Sequence, residues 1–311
     1  MNFSEFLKKF KSERKLKKIN KKKYHICVVY HKPWQLLEND VVTPVHAGRS
    51  IAMNAAKDGS LSVKDSDWMI KHMVGDNTGV NISDKNRYFA ENTVTYWMWK
   101  NINSPYLGLM HYRRIFDLSS VDSKYQKSNK ILTKYAINKR NLDKIFSEFD
   151  IILPKKLGFE MSIYEQYAKW HIIEDLDFVL SYINERYPDI DPFAQKIKTA
   201  NVGYFYNMFI TSKEIFNGYA DFLFDVLFAF SRQVKDRELR HIYQQRAEGY
   251  LAERLTGIYF DYLINTANLK VKELPVVALD DTKNKKHINI VRFAAKNDKG
   301  KGITLVLKVK F

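Results

Sequence analysis

From Tyr24 onward, short apolar runs bounded by turn residues alternate with longer amphipathic stretches. Tyr24–Tyr30 is a continuous β-branched and aromatic run stopped by His31-Lys32-Pro33, a pattern that predicts a buried first strand. Tyr106–Met110, Asp150–Pro154 and Tyr204–Thr211 predict three further strands. Between them, Ser83 is placed to cap a helix over about 84–101, and Ser162–Tyr187 reads as helical up to Pro188. A linker and helical region spans about 118–148; Ser212–Phe230 and Arg237–Phe260 read as two more helices. The alternation predicts an α/β domain with a mainly parallel central sheet over 24–280. A leader over 1–23 precedes it, and a strand-like extension over 281–311 follows, with alternating apolar and polar positions at Gly302–Phe311.

Composition changes this picture little, except at the N-terminus. Aromatic residues make up 14% of the chain; most are expected in a core, but flat rings also line sugar-binding clefts. The single cysteine, Cys27, excludes an intramolecular disulfide and lies in the first predicted strand, where a structural thiol is expected. No apolar stretch approaches the roughly 20 residues of a membrane span, and the N-terminus lacks the apolar core of a signal peptide. A cytoplasmic protein is therefore expected. The net charge is +16, and half of it sits in residues 1–23, where ten Lys and Arg face only Glu5 and Glu13. Phe3, Phe6, Leu7 and Phe10 recur at helical spacing, so the leader suits a helix lying on an anionic membrane, peripheral on its inner face. A solvated basic tail is the alternative. No zinc, RNP or helix-turn-helix pattern follows the basic run, and no nucleic-acid partner is expected.

Ligands of parallel α/β sheets bind beyond the carboxyl ends of the strands. His31, Lys32, His111–Arg114 and Asn207 fall at or near such ends. Arg113 and Arg114 carry permanent planar charges that match phosphate oxygens, although an ion pair closing a strand would use the same residues. In an extended backbone the two point apart; a turn would bring them together. A second polar segment, Gly75–Glu91, crowds Asp76, Asn77, Asn81, Ser83, Lys85 and Asn86 before a predicted helix, with Glu91 following. Such groups read sugar or ribose hydroxyls, and they also build ordinary Asx turns. On the helix predicted over 237–260, Arg246, Tyr250, Glu253 and Gly257 share one face, while Glu248 lies off it. Walker, Rossmann, nucleophile-elbow and zinc patterns are missing. Asp-x-Asp occurs at 65–67, 175–177 and 189–191, never after an apolar strand.

Gly75-Asp-Asn-Thr-Gly-Val-Asn-Ile-Ser83, Tyr106-Leu-Gly-Leu-Met-His-Tyr-Arg-Arg114, Tyr206-Asn-Met-Phe209 and Arg246-Ala-Glu-Gly-Tyr-Leu-Ala-Glu-Arg254 together resemble a bacterial family of capsular and exopolysaccharide glycosyltransferases, first catalogued as a domain of unknown function. The likeness runs over about 25–265. It implies a GT-A-like nucleotide-sugar fold, a UDP-sugar donor (galactofuranose in some relatives) and a lipid-linked or growing surface-polysaccharide acceptor. GT-A enzymes commonly hold Mn²⁺ or Mg²⁺ on Asp-x-Asp after a central strand, where this chain has His111-Tyr112-Arg113-Arg114. The expectation is that arginine replaces the metal and that no cofactor is required. In this scheme Glu253, or else Glu248, is the catalytic base. His31, Lys32, Asp76, Asn77, Asn81, Ser83, Lys85, Asn86, Glu91, His111, Arg113, Arg114, Asn207 and Arg246 are donor-binding. The alternatives are a metal-dependent enzyme using UDP-galactopyranose or UDP-glucose, and a carbohydrate- or nucleotide-binding assembly protein without turnover.

Overall fold

A computed structural model describes residues 20–52, 61–121, 130–235, 237–279 and 290–292. The leader up to residue 19 and most of the C-terminal extension, Gly302–Phe311 included, lie outside the described residues. Twelve strands and ten α-helices are described. The strands are β1 (Tyr24–Tyr30), β2 (Val42–His46), β3 (Val74–Gly75), β4 (Tyr106–His111), β5 (Arg114–Phe116), β6 (Ile151–Pro154), β7 (Leu157–Gly158), β8 (Val202–Gly203), β9 (Phe209–Ser212), β10 (Val271–Leu274), β11 (Val276–Leu279) and β12 (Ile290–Arg292). The helices are α1 (Val63–His72), α2 (Asn86–Phe89), α3 (Asn92–Asn101), α4 (Ile131–Lys134), α5 (Lys139–Ile145), α6 (Ile163–Trp170), α7 (Ile173–Arg186), α8 (Asp191–Lys196), α9 (Lys213–Gln233) and α10 (Ala247–Thr266).

The central sheet runs β10-β6-β9-β4-β1-β2-β3, and β9 alone in that order is antiparallel to its neighbours. β1 is buried along its whole length because helices cover both faces. Its side chains alternate between two cores. Cys27 and Val29 join Leu107 and Leu109 against α3, α9 and α10, while Ile26, Val28 and Tyr30 join Met110 against α1, α4 and α5. A side arm leaves the sheet where β4 turns into β5, which pairs with β11 and through it with β12. Among the described residues, no helix is long and apolar enough to cross a membrane.

Four sequence expectations need correction. The helix expected over 162–187 is two, α6 and α7, because the backbone is extended at His171 and Ile172. The helix expected from residue 84 is broken at Ala90, whose backbone takes a positive φ of 51° with ψ −133°. Ser83 does not cap it: its hydroxyl donates to Asp76 instead. The break lets Ala90 meet Gly249 of α10, where an added Cβ would come within 3.0 Å of the Ala90 Cβ. The strand expected over 204–211 begins only at Phe209, because Tyr206 and Asn207 both take positive φ, 78° and 51°. The helix expected from Arg237 begins at Ala247, after two short 3-10 turns. Tertiary bonds described below hold each break open.

Candidate active site at the carboxyl edge of the sheet

Strand register sets a row of residues along one edge. His111 of β4 is level with Val29 of β1, Tyr30 with His46 of β2, and His46 with Gly75 of β3. Asn207 precedes antiparallel β9 and so reaches the same edge, where Leu109 of β4 pairs with Phe209. His31 follows β1 there, exposed, with its ring edge-on to Tyr112 at 5.3 Å; Lys32 is half-buried beside it. The three sequence segments expected at strand ends thus come to one edge of one sheet.

The turn after β4 answers how the paired arginines point. His111 pairs with Arg114, so Tyr112 and Arg113 form the tip of a two-residue hairpin. Both guanidiniums are exposed, each over a different ring: Arg113 lies 5.1 Å from the centre of Tyr112, and Arg114 5.2 Å from Tyr206. The hairpin backbone is tied down by the Leu279 N–H, which donates to the Arg113 carbonyl at 2.8 Å. The strand end therefore offers two guanidiniums and an imidazole already bonded to a carbonyl. That donor set fits an anion and does not fit a divalent cation.

Tyr206 joins this hairpin to α10. The His111 Nε2 donates to the Tyr206 carbonyl at 2.6 Å, which sets the tautomer, and the Tyr206 N–H donates to Glu253 Oε1 at 2.8 Å. The other Glu253 oxygen accepts from Arg254 at 3.2 Å, and the Glu253 side chain as a whole is 28% exposed. Arg254 itself is buried, donating also to the Tyr250 carbonyl at 3.2 Å and to the Gln166 side-chain oxygen. Next to Tyr206, Asn207 is buried and donates to Glu91 at 2.8 Å while accepting from Thr256 at 2.9 Å. Glu91 therefore pairs with Asn207, rather than with Lys85 or Arg87.

Glu248 has a different task. It is fully buried and bound in a two-pronged ion pair by Arg237, at 2.6 and 2.5 Å. Both oxygens are held by Arg237 and the side chain has no exposed surface, whereas that of Glu253 does.

The Gly75–Glu91 segment is mostly wired inward. Asp76 is fully buried and accepts from the Gly48 and Arg49 N–H groups (2.7 and 3.1 Å), from Ser83 (2.5 Å) and from Thr93 (2.7 Å). Burial holds its carboxyl above the ordinary range, an effect these four donors reduce without cancelling. Gly48 can serve because it sits at φ 65°, and an added Cβ would strike Asn86. Asn81 accepts from the Ser83 N–H at 3.2 Å, and Asn86 donates to the Ala90 carbonyl at 2.6 Å and to Thr93 at 3.0 Å. Asp76, Asn81, Ser83 and Asn86 therefore shape the rim instead of presenting free groups to a ligand. Asn77 and Lys85 remain exposed at that rim.

Arg49 and His171 carry no assigned role in the sequence reading, whereas Arg246 does. Arg49 is largely buried, donating to His46 Nδ1 at 3.2 Å and to the Met69 and Met73 carbonyls at 3.1 Å each; burial lowers His46 to about 3. His171 stacks on Tyr250 at 4.0 Å and on Tyr243 at 5.8 Å, and burial together with Arg254 lowers it to about 4. Arg246, just before α10, is half-buried, with an Nε atom that has no hydrogen-bond partner. Arg246, Tyr250 and Glu253 follow one another along one face of α10, as their spacing implies. Nothing in the local sequence marks Tyr206 as a left-handed residue; an aromatic side chain is an unusual occupant of that conformation.

A mixed α/β sheet flanked by helices, with its polar residues gathered at the carboxyl ends of the strands, is a GT-A-like fold. The family described as a domain of unknown function, DUF4422, matches residues 25–265, and the chain belongs to that family. A solved structure titled as the WbbM bifunctional glycosyltransferase in its apo form is 26% identical, with a TM-score of 0.71 over 88% of this chain and 48% of that one. The chain thus spans about half the length of that relative. No curated protein matches it.

Proposed function

We propose that this protein is a glycosyltransferase that moves a sugar, galactofuranose first among the candidates, from a UDP-sugar to a lipid-linked or growing surface-polysaccharide acceptor. The observation that carries the reading is the pairing of an exposed two-arginine hairpin with a part-exposed glutamate, both tied to Tyr206. The likeness to a bifunctional glycosyltransferase supports the class.

In this scheme Arg113 and Arg114 bind the donor diphosphate and offset the charge that grows on the departing UDP. His31, Lys32, Asn77 and Lys85 contribute further contacts from the rim. Glu253 takes the proton of the acceptor hydroxyl as its oxygen attacks the anomeric carbon and the bond to UDP breaks. The Tyr206 N–H and Arg254 hold one oxygen each, and every carboxylate oxygen has a lone pair to spare. The protein acts in the cytoplasm at the inner membrane face, where such acceptors are held, with the leader on anionic lipid.

A panel of UDP-sugars tests the proposal, each assayed for transfer and for hydrolysis with and without EDTA. Turnover of one donor, insensitive to EDTA, is expected. Complete inhibition by EDTA with rescue by Mn²⁺ would instead favour the metal-dependent alternative. Donor binding without turnover on any acceptor would favour a non-catalytic binding protein.

A further inference from the structure

Trp170, Leu239 and Ile242 are 58%, 85% and 39% exposed, although each is large and apolar. They belong to one stapled unit. The loop from Arg237 to Arg246 joins α9 to α10 and is pinned to the body at several points. Arg237 grips Glu248, Arg240 grips Asp175 with two bonds of 2.7 and 2.9 Å, and Gln245 donates to the Arg240 carbonyl at 3.0 Å. Gln244 donates to the Trp170 carbonyl at 2.9 Å, and the Tyr243 ring stacks on His171. Leu239 lies between the two anchored arginines, so the backbone on either side is held inward while its own side chain stands in water.

The surroundings are cationic. The Lys169 ammonium lies 5.7 Å from the centre of the Trp170 ring, and Arg232, Lys235 and His241 are exposed. Of the acids nearby, Glu238 is engaged by Tyr88 at 2.5 Å and by Arg87 at 3.5 Å, Glu174 is exposed at the start of α7, and Asp236 adjoins Lys235 in the sequence, which leaves Lys169 and Arg232 as the excess. A fixed aliphatic apex, an indole beside it and a basic rim match the layers of a bilayer surface. Aliphatic groups enter the acyl boundary, indole settles among the headgroups, and cations meet lipid phosphates.

We propose that the loop 237–246, together with Trp170, is a membrane-docking surface for an anionic bilayer, separate from the basic leader. Its placement ties it to the site. Residues 20–23 enter the amino end of β1, whereas the site lies at the carboxyl end, roughly 20 Å away at about 3.3 Å per strand residue. The loop leads directly into α10, where Arg246, Tyr250 and Glu253 succeed one another along one face. Docking through it turns the site toward the bilayer. Bilayer docking does not depend on which reaction the site performs.

Sedimentation of the full chain with vesicles of phosphatidylcholine, with and without phosphatidylglycerol, tests this. The parent is expected to partition onto the anionic vesicles. Leu239→Asp with Ile242→Asp is expected to lower that partition about tenfold with the leader intact. Leu239→Gln, a single change at an exposed site, is expected to lower it in the same direction should the double variant fail a thermal melt. Lipids brominated along their acyl chains are expected to quench the parent's tryptophan fluorescence, and Trp170→Phe to remove most of that quenching. Unchanged partition of Leu239→Gln and the double variant overturns the proposal, as does quenching that survives Trp170→Phe. A parent dimer that the double variant disperses, with vesicle binding intact, assigns the patch to a second copy and also overturns it.

Discussion

His111 and Glu253 grip the same residue from opposite sides: the imidazole donates to the Tyr206 carbonyl at 2.6 Å, and the carboxylate accepts from the Tyr206 N–H at 2.8 Å. The hairpin that carries the arginines and the helix that carries the proposed base are thereby set at a fixed separation. Tyr206 reaches both only because its backbone is left-handed.

The two glutamates of α10 should separate cleanly on substitution. Glu253→Gln is expected to lower kcat about 10²- to 10⁴-fold in the folded fraction, with a smaller loss of Tm because one amide end then faces the Tyr206 or Arg254 donor. Glu248→Gln strips the charge from a buried pair and is expected to cost about 3–5 kcal/mol of stability by urea unfolding. Near-normal turnover in Glu253→Gln would remove it as the base.

Replacing Arg113 or Arg114 with alanine is expected to reduce turnover about 10²-fold or more, with Tm unchanged, since both side chains are exposed. Arg114→Ala also strips a cation from the Tyr206 ring. A variant of either arginine that retains parental kcat and donor KM would take that arginine out of the diphosphate site.

Asp76→Asn turns one of two accepting oxygens into a donor that faces other donors. A loss of about 1–3 kcal/mol or more is expected by urea unfolding, because the Gly48, Arg49, Ser83 and Thr93 donors cannot all be satisfied. A variant as stable as the parent would show that these bonds do not hold the rim.

Stability should fall on acidification. His25 is fully buried with neither ring nitrogen partnered, and burial lowers it to about 3; His46 is lowered to a similar value. Unfolded imidazoles titrate near 6.5, so below that pH the unfolded state binds more protons than the folded one. The contribution of these two residues is complete above about pH 6.5 and is lost progressively down to about pH 3. Urea titrations at stepped pH check this, and His25→Leu is expected to flatten the slope.

Much of the architecture was legible before any coordinates. β1 emerged at its full bounds because a seven-residue run, apolar but for His25, rich in β-branched and aromatic residues and closed by Pro33, is too short for a helix and fits a strand buried on both faces. The start of β4 and the span of α9 followed from local signals: Pro105 before one, and Ser212 capping the other with a bond from the Ile215 N–H. Polar stretches misled where tertiary partners outbid local propensity. Ser83 has the chemistry of a helix cap but finds a stronger acceptor in buried Asp76. Residues 237–246 have helical composition, yet two buried ion pairs hold them as a loop.

The α/β class, the strands β1, β4, β6 and the core of β9, and the residues that reach their ends were legible in the sequence, because periodicity and turn residues act locally; β2, β3, β5, β10 and β11, too short or too polar to stand out, were not. Which carboxylate of α10 is available was decided only by the fold. Glu248 and Glu253 are near neighbours on one helix; Arg237 closes on the first, while Tyr206 and Arg254 hold the second and leave it open. The same holds for the left-handed turn at Tyr206 and Asn207 and for the inward wiring of Asp76. Each depends on groups far apart in the chain, and such partners are fixed by packing rather than by any short pattern of residues.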